Sequence, residues 1–122
     1  MDDKKFALVA KVLEDNYKLI INKGSNDSIK MGELVLVYEI GEEILDPETG
    51  ISLGKVELVK GRGKVIHVQE NMATIESIEK EYQIVRLNPM YTAFSNKNKE
   101  QKETVYLPFD NPKVGDLVKK II

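Results

Sequence analysis

Valine and isoleucine supply 24 of the 122 residues, whereas alanine supplies four. β-Branched side chains lose rotamer freedom against a preceding helical turn but pack well on a pleated surface. A chain weighted this way folds most readily into strands, and its glycines and polar turns cut it into runs of strand length. Phe6 to Leu13 and Tyr17 to Asn22 flank the polar turn Glu14-Asp15-Asn16 and read as a hairpin, with Tyr17, Leu19 and Ile21 on one face. Leu34 to Ile40 is apolar on both faces except at Glu39, which suits a central strand. Ser52 to Lys60 sets Leu53 apart from a Val56/Leu58 face. Lys64 to Glu70 and Ala73 to Glu79 make a second hairpin around Asn71-Met72, with Ile66 and Val68 opposite Ile75. Tyr82 to Leu87, Thr104 to Phe109 and Asp116 to Ile122 complete the set. No run sustains an apolar stripe at helical spacing. The expected class is therefore all-β: a small antiparallel β-barrel of about seven to nine short strands with little or no helix.

One pattern occurs twice. Lys30-Met31-Gly32-Glu33-Leu34-Val35 returns as Lys113-Val114-Gly115-Asp116-Leu117-Val118. Each is a turn ending in glycine, then an acid, then an apolar pair entering a strand. Glycine permits positive φ or close backbone approach, and the acid can accept bonds from nearby amides. The separation is too long for a solenoid period, so two equivalent barrel corners are expected. No boundary divides residues 1–122, which read as one domain. Ser95 to Glu103 has no apolar residue and is expected to be an exposed loop.

Eighteen basic against 20 acidic residues give a net charge of −2, which excludes a broadly basic nucleic-acid protein but leaves room for a local patch. Cysteine is absent and His67 is the only histidine, so disulfides, thiol chemistry and Cys- or His-rich metal centres are not expected. No cofactor and no small-molecule substrate is implied. Only five apolar residues, Phe6 to Ala10, precede Lys11, too few for a signal peptide, and no window approaches a membrane span. The expected location is cytoplasmic, or the cell envelope should the chain be cut from a longer precursor.

The run Ile20-Ile21-Asn22-Lys23-Gly24-Ser25-Asn26-Asp27-Ser28-Ile29-Lys30-Met31-Gly32-Glu33 has a recognisable form. A strand leads into a "glycine, small, x, Asp, glycine-like" turn and then "x-x-Gly-acidic". Val35-Leu36-Val37-Tyr38, Asp46-Pro47-Glu48-Thr49-Gly50 and Leu53-Gly54 follow, and Val114-Gly115-Asp116-Leu117-Val118 closes the pattern. This order resembles the carboxy-terminal domain of the flagellar assembly protein T family and related small bacterial β-barrel modules. Position 28 carries Ser where that pattern usually has glycine. The resemblance implies a β-barrel interaction module from a family of assembly proteins. It implies no flagellar role and carries over no catalytic residue.

Lys60-Gly61-Arg62-Gly63-Lys64 is the densest basic cluster. By strand alternation Lys60, Arg62 and Lys64 would project together, and the glycines would let a phosphate backbone approach. None of the eight aromatic residues lies within ten positions to stack a base. The plainer reading is a glycine-kinked, solvated strand whose charges discourage edge pairing. Glu42, Glu43, Asp46 and Glu48 invite a cation, but Asp46-Pro47-Glu48-Thr49-Gly50 is turn chemistry without the ligand alternation of a calcium loop. His67 has no matched nucleophile, and no serine sits in a Gly-x-Ser-x-Gly frame. Met90, Tyr91, Phe94, Tyr106 and Phe109 form the one aromatic-rich region, which either seals an end of the barrel or, at Tyr91 and Phe94, meets a partner.

Together these features point to a non-enzymatic β-barrel module acting through protein contacts, by self-association or by docking on a larger assembly. The alternative is an oligonucleotide-binding barrel using Lys60, Arg62 and Lys64. Nucleic acid is the lesser of the two expectations.

Overall fold

Strands form where the β-branched runs fall, and glycine or polar turns end them. The computed structural model describes residues 6–86 and 100–121. The first four strands are β1 (Ala7–Val12), β2 (Lys18–Ile21), β3 (Leu34–Leu45) and β4 (Ser52–Val68). The remainder are β5 (Ala73–Ser77), β6 (Lys80–Arg86), β7 (Glu100–Tyr106) and β8 (Leu117–Lys120). In the order β1-β2-β5-β4-β3-β8, six of them close into an antiparallel barrel, β8 pairing back onto β1. The expected all-β barrel is the observed fold, and β3 is central in it, with β4 on one side and β8 on the other.

Alternation places the core. Leu19 and Ile21 of β2, Val35 and Val37 of β3, Ile75 of β5 and Val118 of β8 are fully shielded from solvent. They meet inside the barrel because residues two apart along a strand share a face.

Three expectations are corrected. Ser52 to Lys60 and Lys64 to Glu70 are one 17-residue strand, β4, running unbroken through the glycines. Val65, and not Ile66, stands opposite Ile75, because a bulge between Val65 and His67 takes up one residue. β6 and β7 stay outside the barrel as a two-stranded ribbon, pairing from Lys80↔Tyr106 to Arg86↔Glu100. Residues 100–103 of the expected loop therefore belong to β7, and 95–99 lie outside the described residues.

The repeated sequence marks two corners of one design. Gly32 and Gly115 take φ of 88° and 97°, as glycine permits. Their amides donate to the Val65 and Val9 carbonyls, each at 2.8 Å. The acid that follows folds back on the turn: Glu33 Oε1 accepts from Lys30 N at 2.8 Å, and Asp116 Oδ2 from Lys113 N at 2.7 Å. Each acid then takes a lysine from elsewhere, Lys120 on Glu33 at 2.9 Å and Lys60 on Asp116 at 2.8 Å.

A third turn, Gly24 to Ser28, is pressed against the β4–β5 connection. A Cβ at Gly24 would lie 2.1 Å from the Gln69 carbonyl oxygen. The Ser25 and Asn26 amides donate to the Gln69 and Glu70 carbonyls, which requires that closeness. Ser28 adopts the left-handed conformation, φ 66° and ψ 24°, at the position where the resembling pattern has glycine.

Candidate functional site

Of the three cations in the basic cluster, Lys60 turns into the protein. Val37 pairs with Gly61 and Tyr38 with Val59, so Lys60 is the extra residue of a bulge. The bulge leaves the consecutive residues Lys60 and Gly61 both buried, which breaks the alternation expected across 60, 62 and 64. Lys60 is 8% exposed. Its ammonium donates to Asp116 Oδ2 at 2.8 Å and the Asn111 carbonyl at 3.1 Å, and pairs with Glu39 Oε1 at 2.9 Å. Three acceptors use its three N–H groups. Burial pulls the Lys60 ammonium down, but the hydrogen bonds to Asp116 and Glu39 outweigh it and hold it above the ordinary lysine value. The same bond from Lys60 holds Glu39 below the ordinary carboxylate range.

Arg62 does face outward, where its Nε and a terminal nitrogen grip Glu79 at 3.0 and 3.2 Å. That bond lowers the Glu79 carboxyl and raises the guanidinium. Lys64 is exposed, with no carboxylate within 4.0 Å among the described residues. The glycines serve packing: a Cβ on Gly61 or Gly63 would lie 3.0 or 2.9 Å from the Phe109 ring, which is 1% exposed and closes this end of the barrel. The expected three-cation stripe does not form.

The remaining candidates are soon placed. His67 is exposed. Phe109 seals the barrel, while Tyr106 is exposed and its carbonyl accepts from the Tyr17 hydroxyl at 3.0 Å. Met90, Tyr91 and Phe94 lie outside the described residues. Asp46 organises a hairpin turn: its Oδ1 accepts from Glu48 N at 2.8 Å, its carbonyl accepts from Gly50 N at 2.8 Å, and Gly50 takes φ 75°.

That turn tops a feature the sequence pattern did not mark. Beyond Tyr38 and Val59, β3 and β4 leave the barrel and pair only with each other among the described residues, out to Leu45↔Ser52. At about 3.3 Å per residue, seven residues make a ribbon reaching roughly 20 Å from the barrel. Its large apolar side chains are in solvent: Ile40, Ile44, Leu45, Ile51, Leu53, Leu58 and Val59 are each at least 39% exposed. The described residues hold thirteen such exposed apolar side chains, so more than half crowd onto this one arm.

Register sorts these residues by face. Ile44 lies across from Gly54, on the face of Val56 and Leu58, while Ile40 and Val59 lie on the other. Gly41 keeps the first face flat, since a Cβ there would fall 2.8 Å from Val56 Cγ1 and 3.2 Å from Leu58. At the root the Lys60–Glu39–Asp116 cluster fixes one side, and on the other Lys119 bonds Glu57 at 2.7 Å and lies over the Tyr38 ring. The available signal was an apolar run interrupted by Gly41-Glu42-Glu43, where a covered strand would have continued apolar. No group of acids and histidines suited to a metal occurs among the described residues, and no helix there is long and apolar enough to cross a membrane. Compared with protein-family models and with curated proteins, the chain matches none.

Proposed function

We propose that this chain is a non-enzymatic module that works through protein contacts, with the β3–β4 arm as its contact surface. The observation that carries this is the concentration of exposed apolar side chains on a ribbon whose turn is organised by Asp46 and whose root is ion-paired. Monomeric proteins seldom expose contiguous apolar surface of this kind unless it binds something. An isolated two-stranded ribbon is marginal in water, so an arm held this firmly gains most from a partner that covers it. The turn signatures that resemble flagellar assembly protein T domains favour the same reading, that of a bacterial assembly part.

Oligonucleotide binding is the weaker alternative, because Lys60 is engaged internally and Arg62 is held by Glu79, leaving Lys64 alone of the three. The test is quantitative affinity capture from an extract of the source cells, comparing the wild-type chain with an Ile44→Ser/Leu58→Ser variant. Specific proteins should be lost from the variant while its circular dichroism is unchanged. An identical captured set, or capture of nucleic acid that salt strips away, would refute the arm as the contact.

A further inference from the structure

We propose that the arm's partner is a protein segment with apolar side chains flanked by lysine or arginine, and not the arm of a second copy. This rests on the arm being the contact surface, and its basis is charge. From Glu39 to Val59 the chain carries six carboxylates, Glu39, Glu42, Glu43, Asp46, Glu48 and Glu57, against the single cation Lys55. The arm therefore holds −5 on a chain whose whole net charge is −2.

The barrel neutralises only the root of this charge. Lys60 takes Glu39 and Lys119 takes Glu57. Glu42, Glu43, Asp46 and Glu48 have no cation within 4.0 Å among the described residues, although Glu43 accepts from the Ser52 hydroxyl and Asp46 caps the turn.

Asp46 and Glu48 stand in the turn just past Ile44 and Glu42 in the bulge just before it, while Glu43, across from Lys55, lies on the opposite face, so both faces of the arm's outer end are acidic. Two arms laid face to face there would bring carboxylates against carboxylates, and like charges brought together at an interface are strongly unfavourable. An anionic lipid surface meets the same repulsion. A segment presenting leucine-like anchors between cations meets the opposite field. Its apolar groups fill the flat face above Gly41, while its cations sit at the exposed rim, where charge sets association rate and partner choice more than strength.

The probe is a synthetic twelve-residue peptide alternating leucine and lysine. Two controls carry glutamate for lysine, or serine for leucine. Binding is followed by amide shifts of the isotopically labelled full chain in low (~0.05 M) and high (~0.5 M) salt. The leucine/lysine peptide should move amides of residues 40–45 and 52–59 and weaken by about tenfold or more in high salt. Both controls should bind at least about tenfold more weakly. A Glu42→Lys/Glu43→Lys/Glu48→Lys variant, which spares the turn cap Asp46, should lose the preference for lysine.

Equal binding of the leucine/glutamate peptide at the arm would overturn the charge inference and leave the contact-surface reading standing. Equal binding of the serine/lysine peptide would reduce the arm to an acidic patch and overturn both. A dimer seen by light scattering and abolished by Ile44→Ser/Leu58→Ser would make a second copy the occupant, which also overturns this inference. No shift at the arm with any peptide would remove the proposed partner class.

Discussion

Replacing Lys60 with methionine separates a structural lysine from a binding one. The substitution keeps most of the apolar stem and removes the ammonium that joins Asp116, Glu39 and the Asn111 carbonyl. The Asp116 side chain is 7% exposed and loses its only cation within 4.0 Å among the described residues. Glu39, at 45%, turns to water at little cost. Breaking a buried pair from one side typically costs about 3–5 kcal/mol, since an uncompensated charge stays behind. Asp116 keeps the Lys113 amide at 2.7 Å, which places this case near the lower end, about 3 kcal/mol. That is a large share of the roughly 5–15 kcal/mol available to a domain.

The assay is urea denaturation at neutral pH followed by far-ultraviolet circular dichroism, because the chain has no tryptophan. Lys60→Met/Asp116→Asn should lose less than Lys60→Met alone, since no charge is stranded and the amide oxygen can still accept from Lys113. A surface lysine poised for phosphate would cost within about 0.5 kcal/mol. A loss that small for Lys60→Met, or strict additivity in the double variant, would refute the buried latch.

Three further outcomes follow from the same geometry. Gly63→Ala should destabilise by about 1–3 kcal/mol through overlap with Phe109, and in the Phe109→Leu background the added loss should be smaller, as a double-mutant cycle in urea would show. Ser28→Gly should stabilise by up to about 1 kcal/mol by relieving the left-handed backbone, visible as a higher denaturation midpoint. For pH, Glu39, Glu79 and Glu33 are held below their usual value of 4.5, so the stability they add is present above pH 4.5 and is lost as acid protonates them. Lys60 is held above its usual 10.5, so its share is complete below that and is lost in stronger base. Denaturation midpoints should be flat between those limits, and Glu79→Gln should blunt the acid-side fall.

What could be read from residue order was whatever depends on near neighbours. The Gly32 and Gly115 corners, the turn at Asp46 and the buried alternation of Leu19 and Ile21 are set by side chains within a few positions of one another. What escaped depends on contacts far along the chain. Gly61 and Gly63 read as breaks between two strands because glycine usually weakens a strand. Here they admit the ring of Phe109, some fifty positions away, and the strand passes straight through. Lys60 read as one of three aligned cations because alternation was assumed, and the bulge that turns it inward is needed to meet Asp116, 56 positions on.

The arm escaped for a different reason. An apolar face says that it is to be covered, without saying by what, and Ile44, Val56 and Leu58 share a face as core residues of a barrel strand do. The interruption at Gly41-Glu42-Glu43 only hints at the difference, and the topology shows it: β8 and β5 end their pairing with β3 and β4 near Tyr38 and Gly63, and no other described strand continues beside them. The Leu58–Val56–Ile44 face thus has the composition of a core and the surroundings of a surface. On the proposed reading, the unneutralised carboxylates at the arm's outer end keep such a surface from pairing with its own copies. Charge of one sign near an uncovered apolar face would then let it stay open for a cationic partner.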